Sequence, residues 1–251
     1  AIVDSVDALE HSIVRHALKL VNLDRGIEIV SIADIPANTG LGSSGSFTVG
    51  LLHALHAMKR EHLSLQELAE EAFHIEAELM GAPVGKQDQY IGAFGGITAF
   101  EIAPSGKVSV CPIPLSYDSL DQLQSNTLLF YTGIQRSASG VLLQQSQSTA
   151  RNDEAVVSNL HTIKGIGLKI KAALERGDLH GFGELLDAHW LVKKGLSQQV
   201  SSNQLDKWYE IGKQNGALGG KVLGAGGGGF LMFYCDNHKH HLREAMAAEG
   251  L

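Results

Sequence analysis

The sequence predicts a protein of mixed helices and strands in two domains, and three observations carry that expectation. A β-branched apolar run over residues 27–35 enters a glycine-rich loop, which leads into a helical pattern over 47–58. Two further apolar runs, over 95–102 and 107–112, flank Pro104-Ser105-Gly106 and read as a β-hairpin. Helical patterns over 153–176, 178–196 and 203–217 then precede a glycine tract and a strand over 230–234. A chain of 251 residues suffices for one large or two small domains. The polar stretch 116–124 has weak periodicity and marks the boundary, giving domains 1–120 and 121–251.

Hydrophobic residues make up 44% of the chain and charged residues 19%, the balance of a globular protein. No apolar run approaches the ~18 residues that a membrane span needs. No secretory leader is legible, and a cytoplasmic location is expected. Cys111 and Cys235 stand apart, without metal or redox spacing, and read as reduced structural cysteines. A formal net charge of −7 argues against a nucleic-acid partner. It also means that an anionic ligand needs a local cluster of cations against the overall field.

The stretch Pro36-Ala37-Asn38-Thr39-Gly40-Leu41-Gly42-Ser43-Ser44-Gly45-Ser46 joins the first predicted strand to the first turn of a helix. Such a turn offers unpaired N–H groups and the positive end of the helix dipole, and both favour a phosphate. Gly40, Gly42 and Gly45 match G-x-G-x-x-G, but the dinucleotide version wants an acidic residue about 20 residues on, after a second strand. The corresponding region, 61–71, reads as helix. Gly40 and Gly45 also have P-loop spacing, with Ser46 where the lysine belongs. Phosphate charge would then be met by dipole, hydroxyls and metal. The plainer reading is a tight turn with Ser43 or Ser44 as helix cap.

The other patterns fall in order around this loop. Residues 4–22 carry Val6, Leu9, Ile13, Val14, Ala17 and Leu20 at helical spacing, and Gly26 turns the chain toward the strand. His53 and His56 lie three apart on the helix over 47–58; no third ligand stands at a suitable spacing, so they read as ordinary helix residues. The next helix opens on a capping box, Ser64-Leu65-Gln66-Glu67, and carries the stripe Leu65, Leu68, Ala69, Ala72 and Leu79. Glu76 falls on that stripe, whereas Glu67, Glu71 and Glu78 lie toward the other side. A core-facing carboxylate needs compensation. Mg²⁺ would supply it, being commonly held by one or two carboxylates plus substrate phosphates; a salt bridge at the core's rim is the alternative. Gly81-Ala82-Pro83-Val84-Gly85-Lys86-Gln87-Asp88 is a stiffened turn that delivers one carboxylate. Asp88, ionised at pH 7 by its reference pKa near 4, can accept a proton or cap its own turn. Lys86 nearby would help keep it charged.

Residues 127–132 read as the strand that opens the second domain, and Arg136 follows that strand and Gly133. Lys193 and Lys194 sit late in a helix, where they complement its C-terminus or meet an anion. Gly216 is the expected stop of the helix over 203–217. The tract Gly219-Gly220-Lys221-Val222-Leu223-Gly224-Ala225-Gly226-Gly227-Gly228-Gly229 reads as tightly packed backbone, because apolar residues are interleaved and a buried strand follows. His238, His240 and His241 read as a solvated turn before the last helix.

The string Pro36-x-x-x-Gly40-Leu41-Gly42-Ser43-Ser44-Gly45 resembles the signature of the GHMP small-molecule kinases, and the tract at 219–229 resembles that family's C-terminal glycine motif. The wording is most similar to the family's heptose 7-phosphate kinases, and the resemblance runs over nearly the whole chain. It implies an α+β fold of two domains: a ribosomal protein S5 domain 2-like N-terminal domain, incomplete here, and a ferredoxin-like C-terminal domain. The chain starts at Ala1, and the family's earlier segment, with the first strands and a sugar-contacting motif, is expected to be missing. The resemblance implies ATP and Mg²⁺ as cofactors. The ATP phosphates would rest on Gly40, Leu41, Gly42, Ser43, Ser44 and Gly45. Mg²⁺ would be held by Ser44 and by Glu76, which stands five before Gly81-x-Pro83 as in the family. Asp88 takes the place of the catalytic acid group, positioning or deprotonating the acceptor hydroxyl. Lys86, Arg136 and Lys193 are candidates for a sugar's fixed phosphate dianion, and Gly226 and Gly227 border the substrate pocket.

The implied reaction transfers the γ-phosphoryl group of ATP to the anomeric hydroxyl of D-glycero-D-manno-heptose 7-phosphate, giving a 1,7-bisphosphate for surface-polysaccharide precursors. The implied partners are ATP and a small-molecule sugar phosphate, with no nucleic acid and no membrane; the oligomeric state is open, a homodimer included. Three rival readings stand beside this one: a GHMP kinase for another sugar such as fucose or galactose, a nicotinamide dehydrogenase, and a non-catalytic fragment.

Overall fold

The computed structural model describes residues 2–135, 138–151 and 153–251, with the backbone alone at Ala138 and Ser139. They form two compact units. One holds the described residues up to Ala37 together with Gly42–Val110. Its helices are α1 (Ser12–Leu20), α2 (Ser43–Met58), α3 (Leu65–Phe73) and α4 (Gln87–Phe94), after which β1 (Thr98–Ile102) pairs with β2 (Val108–Pro112). Apolar residues three and four apart bring three helices onto one core: Val14, Ala17 and Leu18 of α1, Val49, Leu52 and Leu55 of α2, and Leu68 and Ala72 of α3. Each leucine fully buried there stabilises by about 1.5–3 kcal/mol. The predicted capping box forms: Ser64 Oγ accepts from Glu67 N, and the Glu67 carboxylate accepts from Ser64 N. Beyond Phe73 the helix widens into a π-helical segment, His74–Leu79.

Two expectations on this unit are corrected. The strand over 27–35 does not form, since among the described residues it has no partner strand. Ile27 and Ile29 pack on the helical core, but Val30 and Ile32 are 74% and 90% exposed. A β-branched run becomes a strand only when a neighbour takes its backbone hydrogen bonds. The helix over 4–22 is broken into a 3₁₀ turn, Val6–Ala8, and α1. Ser5 caps the first, and His11 Nδ1 accepts from Val14 N at the start of the second.

The second unit holds Asn38–Leu41 together with Cys111–Leu251. The polar stretch at 116–124 is helical: α5 (Tyr117–Asn126) starts under the Ser116 hydroxyl and runs straight into β3 (Thr127–Tyr131). Then come α6 (Ala138–Ala150), α7 (Glu154–Glu175), α8 (Leu179–Lys194), α9 (Asn203–Gln214), β4 (Gly219–Val222), β5 (Phe230–Tyr234) and α10 (Lys239–Ala248). The sheet order is β3-β5-β4, antiparallel throughout, with Thr127 opposite Tyr234 and Val222 opposite Leu231. Leu231 and Phe233 of the central strand are wholly buried among Trp190, Tyr209, Leu242 and Met246. Tyr209 bridges this cluster, its ring 5.9 Å from Trp190 and 5.5 Å from Phe233. The start of the glycine tract is therefore an edge strand of the sheet, paired to the central strand, not a linker. Helices packed on antiparallel strands make this the α+β protein expected.

Candidate active site

The glycine-rich stretch ends where α2 begins. Gly42 is the helix cap, with a left-handed φ of 68°, and it offers no side chain to the first turn. By contrast, α3, α5, α7, α8 and α9 each begin under a serine or aspartate that bonds a first-turn N–H. The N–H groups of Ser43, Ser44 and Gly45 lack such a cap, which leaves a helix N-terminus suited to an anion. The serine-cap reading is thus corrected. The Ser44 hydroxyl donates instead to Glu76 Oε2, at 2.5 Å.

Glu76 sits in the π-helical segment and is 2% exposed. Its second oxygen accepts from Gln89 Nε2 at 3.0 Å. These two bonds compensate the core-facing carboxylate that the helical stripe foretells. Gln89 Oε1 is itself buried and has no partner among the described residues. The local donors are thus a hydroxyl, one carboxylate and an orphaned amide oxygen. This all-oxygen set fits Mg²⁺, which takes few protein carboxylates when phosphate oxygens complete its shell. Among the described residues no group of three His, Cys, Asp or Glu side chains is arranged to hold a metal unaided.

Asp88 lies in the first turn of α4, so the expected loop ends at Lys86, one residue before the helix. The backbone of α2 presses on it. A Cβ built on Gly45 would stand 2.9 Å from Asp88 Cβ, and one on Gly42 would stand 3.2 Å from Asp88 Cγ. Although the residue keeps an exposed side, burial pushes its carboxyl above the ordinary aspartate range, and the negative Glu76 adds to the rise. Lys86 does not offset this, contrary to expectation. Its ammonium donates to both Glu70 oxygens, at 2.6 and 2.7 Å, and lies 5.0 Å from the Phe73 ring centre. Tyr90 also donates to Glu70, at 2.5 Å. Burial alone would raise the Glu70 carboxyl, but the bonds from Lys86 and Tyr90 hold it low.

In the second unit, Gly40 abuts the glycine tract. Its φ is 81°, and a Cβ there would stand 2.8 Å from the Leu223 carbonyl oxygen. Phe230 N donates to Thr39 O at 3.2 Å. Gly227 N donates to Val200 O at 2.8 Å, and a Cβ on Gly226 would lie 2.8 Å from that same oxygen. Lys193 donates to Gly224 O at 2.6 Å. Burial, and then the Lys221 charge, push the Lys193 ammonium down to about 7. Arg136 lies outside the described residues. His56 is more than an ordinary helix residue, since Glu61 and Glu71 hold its two ring nitrogens, each at 2.8 Å. Sequence reasoning passed over Gln89, Glu70 and Tyr90, whose partners become neighbours only through packing.

An uncapped helix start beside a buried carboxylate marks an α+β protein with a helix N-terminus suited to an anion, and comparison with known proteins names its family. The GHMP kinases N terminal domain matches residues 9–96 and the GHMP kinases C terminal domain matches residues 170–250. The chain belongs to the GHMP kinase family. A D-glycero-alpha-D-manno-heptose 7-phosphate kinase of Campylobacter jejuni is 34% identical over 218 residues, covering 86% of this chain and 64% of that protein. The L-fucokinase/L-fucose-1-P guanylyltransferase of Bacteroides fragilis is 29% identical over 215 residues, 85% of this chain and 22% of that protein. A solved D-glycero-D-manno-heptose 1-phosphate kinase of Bacteroides thetaiotaomicron superposes with a TM-score of 0.70 at 26% identity, over 94% of this chain and 66% of its own. The chain thus spans less than two thirds of the length of these relatives. Family membership sets aside the nicotinamide dehydrogenase. No helix of the described residues is long and apolar enough to cross a membrane.

Proposed function

We propose that the protein transfers the γ-phosphoryl group of ATP to the anomeric hydroxyl of D-glycero-D-manno-heptose 7-phosphate, giving the 1,7-bisphosphate. The observation that carries the phosphoryl-transfer reading is the Ser44–Glu76 pair at the uncapped start of α2, with Asp88 packed against the same turn, and the heptose 7-phosphate kinase relative supports the choice of acceptor. The N–H groups of Ser43, Ser44 and Gly45 bind the ATP phosphates, with Gly40, Leu41 and Gly42 shaping their approach. Mg²⁺ arriving with the nucleotide would be held by Ser44 Oγ and the Glu76 carboxylate, and would neutralise charge on the transferred group. Asp88 takes the proton of the anomeric hydroxyl or holds that hydroxyl in line. A raised pKa makes its carboxylate a stronger base. Lys193, Gly226, Gly227 and Arg136 are kept as candidates for recognising the sugar phosphate; Lys86, already paired with Glu70, has the lesser part. We also keep the domain division at 120/121 and a cytoplasmic location, where ATP is at hand.

The test is ADP release from MgATP across free and phosphorylated sugars, with Asp88→Asn as control. Release that requires heptose 7-phosphate and Asp88 is the expected result. Equal use of a free sugar would move the acceptor to another sugar, a reading that the fucokinase relative favours. No release from a well-folded chain would favour the non-catalytic reading.

A further inference from the structure

Helix α8 packs across β4. On that strand Gly219 faces α8, since a Cβ there would stand 3.0 Å from Asp187 Cβ. Lys221, two residues on, projects from the same face of the strand. His189 and Lys193 are four apart and share one face of α8. The Lys221 charge acts on His189 and on Lys193, and the Lys193 charge acts on His189.

Among the described residues nothing acidic is paired with this group: no carboxylate pairs with Lys193 or Lys221. The neighbouring acids and the next lysine are engaged elsewhere: Asp187 accepts from Tyr209 at 2.5 Å and lies 3.4 Å from Lys213, and Lys194 pairs with Asp206 at 3.1 Å. Among the described residues Lys193 donates to the Gly224 carbonyl alone. His189 Nδ1 is buried and without a partner among the described residues. Burial, and then the two lysine charges, push the imidazole down to about 4, so it is neutral and can donate from a single nitrogen. Burial likewise lowers Lys221. Two like charges beside an orphaned donor are costly in a protein and are relieved by an anion set between them. The cluster stands beside the loop side of the glycine tract: Lys193 holds the Gly224 carbonyl, and a Cβ on Gly224 would stand 2.7 Å from Gly40 Cα.

We propose that Lys193, Lys221 and His189 form a binding site for a phosphate monoester, which is the fixed phosphate of the acceptor sugar. The assignment to the acceptor rests on the sugar-phosphate reading above; nucleotide phosphate is the other source of the same chemistry. The site selects phosphorylated over free sugars, and Lys221 and His189 join the residues that determine specificity.

Calorimetric titration of inorganic phosphate, heptose 7-phosphate, free heptose and MgATP into the wild type, Lys193→Met, Lys221→Met and Lys221→Arg tests this. The methionine variants should bind heptose 7-phosphate about tenfold or more weakly, as expected for a lost charged contact. They should bind free heptose and MgATP unchanged, and Lys221→Arg should recover most of the loss. Circular dichroism checks that each variant is folded. Methionine variants that bind heptose 7-phosphate as the wild type does would overturn the site. Weakened MgATP binding with sugar-phosphate binding intact would overturn its assignment to the acceptor. A wild type that binds inorganic phosphate through these lysines, yet does not prefer heptose 7-phosphate to free heptose, would support the site and sink the proposed substrate instead.

Discussion

At the scale of residues, the proposed chemistry rests on how Asp88 and Glu76 share one small region. Glu76 is buried with Ser44 and Gln89 on its two oxygens, and its charge helps raise Asp88. Replacing Asp88 with Asn should lower kcat by about 10²–10⁴, the usual span for a lost general base, while MgATP binding persists. Turnover within twofold of the wild type would rule out the base role. Carboxyl carbon NMR should show Asp88 titrating above the ordinary aspartate value. In Glu76→Gln the midpoint should fall only part of the way back, because burial is the larger cause. The linkage to stability has a definite sign. An acid whose pKa is raised by folding binds its proton more tightly in the native state, so Asp88 adds stability at low pH. That contribution is lost as pH rises from the ordinary aspartate pKa through the raised one.

At the scale of elements, α2 and the π-helical turn do the positioning. Gly45 is helical, and alanine there would favour the helix by about 1 kcal/mol. Its methyl would nonetheless meet Asp88 Cβ at 2.9 Å and Gln89 N at 3.0 Å, so Asp88 must shift. Because two of the closest contacts are backbone atoms of α4, the clash outweighs the gain in helix propensity, and Gly45→Ala should lower the melting temperature and also lower kcat by about 10², the cost of misplacing a reacting group by an ångström. Loss of stability with kcat intact would contradict this account. The π-helical widening from His74 to Leu79 carries Glu76 in its first turn. A strained turn of this kind often marks a functional side chain. Periodicity placed Glu76 on the buried stripe, but it could not show the widening, which no residue type in that stretch signals.

At the scale of the molecule, hydrophobic cores hold the parts in place, among them a helical one around Leu52 and Ile75 and one between sheet and helices around Leu231 and Phe233. Phe233→Ala removes a wholly buried ring packed on Gly212 and Tyr209 and should cost about 3–5 kcal/mol in urea unfolding. A cost below 1 kcal/mol would mean that this core collapses around the gap. The capping box at Ser64, the strands over 127–131 and 230–234, the helices after residue 153 and the stop near Gly216 were all legible in the sequence, because each is specified by neighbours along the chain. The strand over 27–35 was misread, because pairing is decided by a distant neighbour that local pattern cannot supply.

What the sequence by itself determined is the family and the residue types of the site: the glycine loop with its serines, a glutamate on an apolar stripe, an aspartate after a stiffened turn, and a second glycine tract. Spacing alone reveals these, since they recur within a few residues. Only the tertiary structure decided their partners. It put the Ser44 hydroxyl on Glu76 instead of on the helix end, and Gln89 on the other oxygen. It also gave Lys86 to Glu70, and brought Lys193 beside Lys221 from 28 residues away. A side chain's charge and hydrogen-bond partners depend on which surfaces are buried together, and burial is a property of the packed molecule.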